Sequence, residues 1–136
     1  MIQLILHGIG DYFTQTDYQA LNKKKAGWVG FWACLKHCTT YSLPFLFIGS
    51  IQAVLVIFVT HFLIDRTNIV SYALAIKNNV KKTKLDAITN KAIGEEYDIS
   101  NFGFGLERPF SLTIWLYIIC DNLLHIIFNY IALTYL

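Results

Sequence analysis

The feature that most restricts this chain is where its ionisable side chains fall. All four histidines, His7, His37, His61 and His125, lie inside strongly apolar stretches, as do Asp11, Asp65 and Asp121. Each of these three aspartates is four residues from a histidine, in "HGIGD", "HFLID" and "DNLLH". On a helix, positions i and i+4 share one face a turn apart. Three helical segments would therefore each present an imidazole and a carboxylate on one stripe, and a fourth adds His37.

The surrounding apolarity makes this pattern costly. The chain is 55% hydrophobic with a mean hydropathy of +0.47, values that suit a small membrane protein with polar loops. Four apolar segments stand out: "MIQLILHGIGDYF", "GWVGFWACLKHCTTYSL", "FLFIGSIQAVLVIFVTHFLID" and "FSLTIWLYIICDNLLHIIFNYIALTYL". The first is short for a crossing and is expected to be tilted or re-entrant. Segments two and three meet at "SLPFLFIGS", where Pro44, Gly49 and Ser50 predict a tight helical turn. Between segments three and four, residues 66–108 read as a polar insert: a surface helix in "IVSYALAIKNNVKK", then a loop through "EEYDISNFGFGLERP". The expected fold is an all-α integral membrane bundle, one membrane-embedded domain over residues 1–136.

Charge sets an orientation for that bundle. Ten of the eleven basic residues lie in two loops, Lys23–Lys25 and the 66–108 insert, with Lys36 the exception. A hairpin of segments two and three puts both loops on one side, which the positive-inside rule makes cytoplasmic. This predicts a multi-pass membrane protein with its basic loops cytoplasmic. Membrane lipid is then the expected partner, with a membrane protein or a second copy as further candidates. A net charge of +2 is too small to argue for nucleic acid. Trp28, Trp32 and Tyr41 read as interfacial aromatics. Cys34, Cys38 and Cys120 cannot all pair, and "CLKHC" is not C-x-x-C, so they read as small packing residues.

An aspartate at mid-membrane costs about 2.5–3.5 kcal/mol, so three unpaired ones would cost roughly 8–10 kcal/mol. Three arrangements can meet that cost. The first is a divalent metal, since imidazole and carboxylate suit zinc, and also iron or manganese. His7, Asp11, His37, His61, Asp65, Asp121 and His125 are the candidate ligands; they exceed one tetrahedral shell, so two ions bind or some aspartates orient histidines. The second is structural Asp–His hydrogen bonding between helices, at about 0.6–2 kcal/mol each. The third is a proton or ion path.

"HGIGDYFTQTDYQALNKK" resembles the opening of the domain of unknown function 3307 family, small polytopic membrane proteins of bacteria and their phages. That opening reads H-x-x-x-D-[FY]-x-x-Q-x-x-x-x-A-x-x-K, and His7, Asp11, Tyr12, Gln15, Ala20 and Lys23 fall on it. His37, the "HFLID" pair and Asp121 with His125 follow in the same order. The chain is similar, more loosely, to membrane proteins described as metal-dependent hydrolases. Arg66 stands where a basic residue is usual after H-x-x-x-D, while Thr67 and Asn68 depart from the pattern. The resemblance covers the four apolar segments and not the 67–108 insert, and it implies a fold and a site rather than a reaction.

The function expected from these features is metal-assisted hydrolysis of a lipid or lipid-linked phosphate. Asp65 and Asp121 are the candidates to take a proton from water. Lys23, Lys24 and Arg66 would hold an anionic head group. Gln15, one turn beyond Asp11, would orient a ligand or cap the segment. The alternative is a non-enzymatic membrane protein in which the His/Asp pairs are architecture.

Overall fold

The computed structural model describes all residues from 1 to 136. In chain order, helix α1 (Ile2–Gly8) runs on as a π-helical turn over Ile9–Phe13, followed by α2 (Asp17–Asn22) and α3 (Gly27–Ser42). A 3-10 turn over Leu43–Phe47 leads into α4 (Ile51–Arg66) and α5 (Ile69–Asn78). Strands β1 (Lys81–Leu85) and β2 (Ala92–Tyr97) precede the long helix α6 (Phe110–Tyr135). The chain divides into two units, Met1–Thr67 with Asn122–Leu136, and Asn68–Asp121.

The expected set of four crossing helices is reduced to one. Only α6, at 26 residues and roughly 39 Å, is long and apolar enough to span a hydrocarbon core of about 30 Å. Helices α3 and α4 have 16 residues each, about 24 Å. The third apolar segment was long enough to cross only if it stayed helical from Phe45 to Asp65. Instead Pro44 opens a 3-10 turn, and the Ser50 hydroxyl accepts from the Ala53 amide at 3.1 Å to start α4 afresh. The one other stretch of sufficient length joins α4 to α5, and the helix is broken between them.

In the first unit, α3 and α4 form the expected hairpin. Its apolar centre is Tyr41, Phe45, Ala53, Val54, Ile57 and Ala132, with Leu6 and Leu133 packed against it. Tyr41, expected at a membrane interface, is fully buried, whereas Trp28 and Trp32 are exposed. Helix α2 is short and polar, and it holds because Thr16 and Gln19 form a reciprocal capping box. It delivers Lys23, at its C-terminal end, toward the site.

The second unit contains the surface helix that the sequence predicted, now bounded as α5. It buries Val70, Ser71, Leu74 and Ala75 and ends on Asn79 in the left-handed region at φ 51°. Gly103, at φ +82°, lies so close to Ser71 and Ala75 that a methyl group would overlap their backbone. The buried Asn101 amide bonds the carbonyls of Gly105 and Arg108 and accepts from Thr113 Oγ1, tying the glycine-rich loop to the start of α6.

The all-α expectation fails at β1 and β2, an antiparallel pair in which Lys82 faces Glu96 and Thr83 faces Glu95. Every strand residue is exposed, so no apolar alternation announces the pair. Cross-strand Lys81–Glu95 and Lys82–Glu96 ion pairs at 3.3 and 3.4 Å replace it, each contributing only about 0–1 kcal/mol at such exposure. The intervening turn is closed by Asp86, whose carboxylate accepts from Thr89 and Ile88 and is thereby held below its ordinary pKa.

Candidate metal centre

The first unit gathers five of the seven ligands expected from sequence. Three groupings of His, Cys and Asp side chains can hold a metal ion: Asp11 with His37 and His61; His61 with Asp65 and His125; and Cys34 with Cys38 and Asp65. His7 and Asp121 are in none of them.

The densest point lies among four donor atoms. His37 Nε2 and His61 Nε2 are 3.0 Å apart. His37 Nε2 is 3.2 Å from both Asp11 Oδ1 and Asp65 Oδ2. His61 Nε2 is 3.4 Å from Asp11 Oδ1 and 3.3 Å from Asp65 Oδ2. A tetrahedral ion bound at 2.0–2.2 Å requires ligand–ligand edges of about 3.3–3.6 Å, and these five distances lie near that range, although Asp11 and Asp65 fall in separate groupings. Despite the close approach, Asp11 Oδ1 is buried and makes no hydrogen bond. A buried carboxylate oxygen without a hydrogen bond beside two imidazoles suits a cation between them.

Local structure explains how each ligand arrives. The π-helical turn inserts a residue into the first helix and re-aims Asp11, a use to which such bulges are often put. Gly10 lies in that turn, and a methyl there would overlap the Tyr41 ring. Gly10→Ala is accordingly expected to cost about 1–3 kcal/mol of stability and to weaken metal binding, read together as a lower thermal midpoint and a raised metal Kd. His61 is fixed by stacking: its ring lies between Tyr41, at 3.7 Å between centroids, and His125, at 4.0 Å.

Charge also favours a cation. Two carboxylates face one ammonium, Lys23, whose Nζ donates to both Asp65 oxygens at 2.9 Å. Asp65 is 1% exposed, Asp11 13% and Lys23 17%, so the pocket opens on the side of Asp11 and Lys23. His125 Nε2 stands 3.6 Å from Asp65 Oδ1.

His7 has a different part. Asn129 Nδ2 donates to the Tyr41 hydroxyl at 2.7 Å, and that hydroxyl donates to His7 Nδ1 at 2.8 Å. His7 Nε2–H then donates to Asn122 Oδ1 at 2.7 Å, with the Asn122 amide as oriented, and Asn122 Nδ2 donates to Tyr12. Both ring nitrogens are thus engaged, and His7 braces Asp11 from 3.4 Å without joining its grouping. Tyr41, Asn122 and Asn129 carry no signal in the sequence that would mark them for this network, although Asn122 and Asn129 share the polar stripe of α6 with His125.

The remaining expected residues are more loosely placed. Asp121 is half-buried on α6, Gln15 and Arg66 are half-buried, and Lys24 is exposed. Lys23, expected to hold a head group, pairs with Asp65 instead. The sequence matches no protein-family model, no curated protein and no solved structure.

Proposed function

We propose that the chain is a membrane-anchored, metal-dependent hydrolase acting on an anionic lipid or lipid-linked phosphate. The observation that carries this reading is the convergence of Asp11, His37 and His61 atoms, with Asp65 Oδ2 within 3.3 Å of both imidazoles, drawn from the π-helical turn, α3 and α4. The donor set suits zinc best, with iron or manganese also compatible. When bound, a divalent ion lowers the pKa of water to about 7 and polarises a phosphoryl oxygen.

In this reading Asp11, His37 and His61 hold the ion. Asp65, within 3.3 Å of both imidazole Nε2 atoms, would accept the proton of the attacking water, leaving the fourth position on the ion to that water. Lys23, bonded to both Asp65 oxygens, keeps that carboxylate ionised and oriented between turnovers. The buried walls exclude bulk water, and access from the Asp11 side admits a phosphate head group. Arg66 and Lys24 supply positive charge for that group, and the resemblance to the domain of unknown function 3307 family agrees with a bacterial or phage membrane setting. Helix α6 is the anchor, since only 11% of its most apolar 18-residue window is buried within the protein.

The test is phosphate release from vesicles of an anionic phospholipid or a lipid-linked pyrophosphate, with protein reconstituted with zinc or manganese. Release should need the metal and fall about 10²–10⁴-fold in Asp65→Asn, the range for loss of a general base. Metal-loaded protein that releases no phosphate from either class would overturn the reading. A second reading, a non-enzymatic membrane protein with structural polar contacts, draws on the Tyr12–Asn122–His7–Tyr41–Asn129 chain of hydrogen bonds.

A further inference from the structure

We propose that Cys34, Cys38 and Asp65 form a second cation site, selective for a thiophilic divalent ion such as Zn²⁺ or Cd²⁺, that shares Asp65 with the His/Asp centre. The site does not depend on the hydrolytic reading.

Cys34 and Cys38 stand one turn apart on α3 and are both fully buried. Their sulfurs are 3.8 Å apart. Zinc–thiolate bonds of about 2.3 Å in a tetrahedral shell require a sulfur–sulfur edge of about 3.8 Å. A carboxylate oxygen of Asp65, on the facing α4, lies within 4.8 Å of both sulfurs.

Packing alone does not explain the pair. Buried cysteines that serve as small apolar fillers have no need of a buried carboxylate beside them. Here the two thiols and Asp65 come from adjacent helices and converge, and Cys34 Sγ is further directed by the Phe62 carbonyl at 3.9 Å. The space against Asp65 already accepts positive charge, because the Lys23 ammonium sits 2.9 Å from both of its oxygens. Lys23 keeps 17% of its side chain exposed, so it has a path outward when an ion takes over that charge. A carboxylate has two oxygens and roughly four lone-pair positions, enough for Asp65 to serve both centres. Each thiol would give its proton to solvent as its sulfur–metal bond forms.

Cobalt(II) titration of the metal-free full chain, kept reduced with a phosphine, separates the two centres. The expected result is two equivalents per chain, one of which brings a near-ultraviolet thiolate-to-cobalt charge-transfer band. The Cys34→Ala/Cys38→Ala variant should bind one equivalent, lose that band and keep the visible d–d bands of the His/Asp centre. The His37→Ala/His61→Ala variant should do the reverse. A wild-type titration with d–d bands and no thiolate band overturns the second site while leaving the His/Asp centre intact. A thiolate band that survives the double cysteine variant overturns it as well. A thiolate band that persists without the His/Asp equivalent supports the second site and removes the metal-hydrolase reading alone.

Discussion

Replacing His37 and His61 with alanine should abolish stoichiometric metal in the His/Asp centre. Single replacements should raise the metal Kd by more than the roughly 10–100-fold typical of an outer-shell partner. The reason is geometric. His37 Nε2 and His61 Nε2 define the shortest edge of the four-atom set, and both lie within 3.4 Å of Asp11 Oδ1 and Asp65 Oδ2. Losing either removes a ligand from the Asp11–His37–His61 grouping, and His7 is no substitute because both its nitrogens are committed to Tyr41 and Asn122. His7→Ala should therefore cost only about 10–100-fold, by loosening Asp11 rather than deleting a ligand. Isothermal titration with zinc or manganese at fixed pH reads both numbers. Equal losses at His7 and His61 would contradict the assignment of roles. Binding should also weaken as the pH falls, because a protonated imidazole cannot ligate.

The sequence carried the core of this site but not its scaffold. Histidine and aspartate at four-residue spacing inside apolar stretches were enough to expect His37, His61, Asp11, Asp65 and His125 to converge, because the cost of burying them alone leaves few other outcomes. The same logic also named His7 and Asp121, which stand in none of the three groupings. It counts ionisable groups and cannot see that Tyr41 and Asn122 already satisfy an imidazole. Hydropathy overcounted the spans for a related reason. It reads composition along the chain, whereas a crossing needs an unbroken backbone, and Pro44 with the Ser50 cap ends one helix and begins another. Those breakers are legible in the sequence as a turn, and they cut the third segment to a 16-residue helix. The β1–β2 pair escaped because its two faces are both polar. "KKTKL" and "AIGEEY" offer Lys/Glu complementarity across strands, a signal that exists only once the register is known.

Lys23→Met should be the most destabilising single substitution around the centre when metal is withheld, costing about 3–5 kcal/mol. The Lys23 ammonium is a permanent cation bonded to both Asp65 oxygens, and Asp65 is 1% exposed. Removing the ammonium strands a carboxylate in a low-dielectric pocket. Asp65→Asn alone should cost less, since a neutral amide replaces the charge and Lys23 can turn toward solvent along its exposed side. The double variant should recover much of the Lys23→Met loss, and the cycle would give the coupling between the two groups. Zinc or manganese distinguishes a structural ion pair from a cation-binding site. An ion at Asp65 supplies the charge that Lys23 no longer does, so saturating metal should raise the thermal midpoint of Lys23→Met more than that of the wild type. At 100 times Kd, linkage alone gives about 2.7 kcal/mol to either protein, and the excess in the variant is the measure of the replaced charge. Equal metal-induced shifts in the two would mean that Lys23 and the ion do not compete for the same carboxylate, and that the pocket around Asp65 is built for the lysine alone.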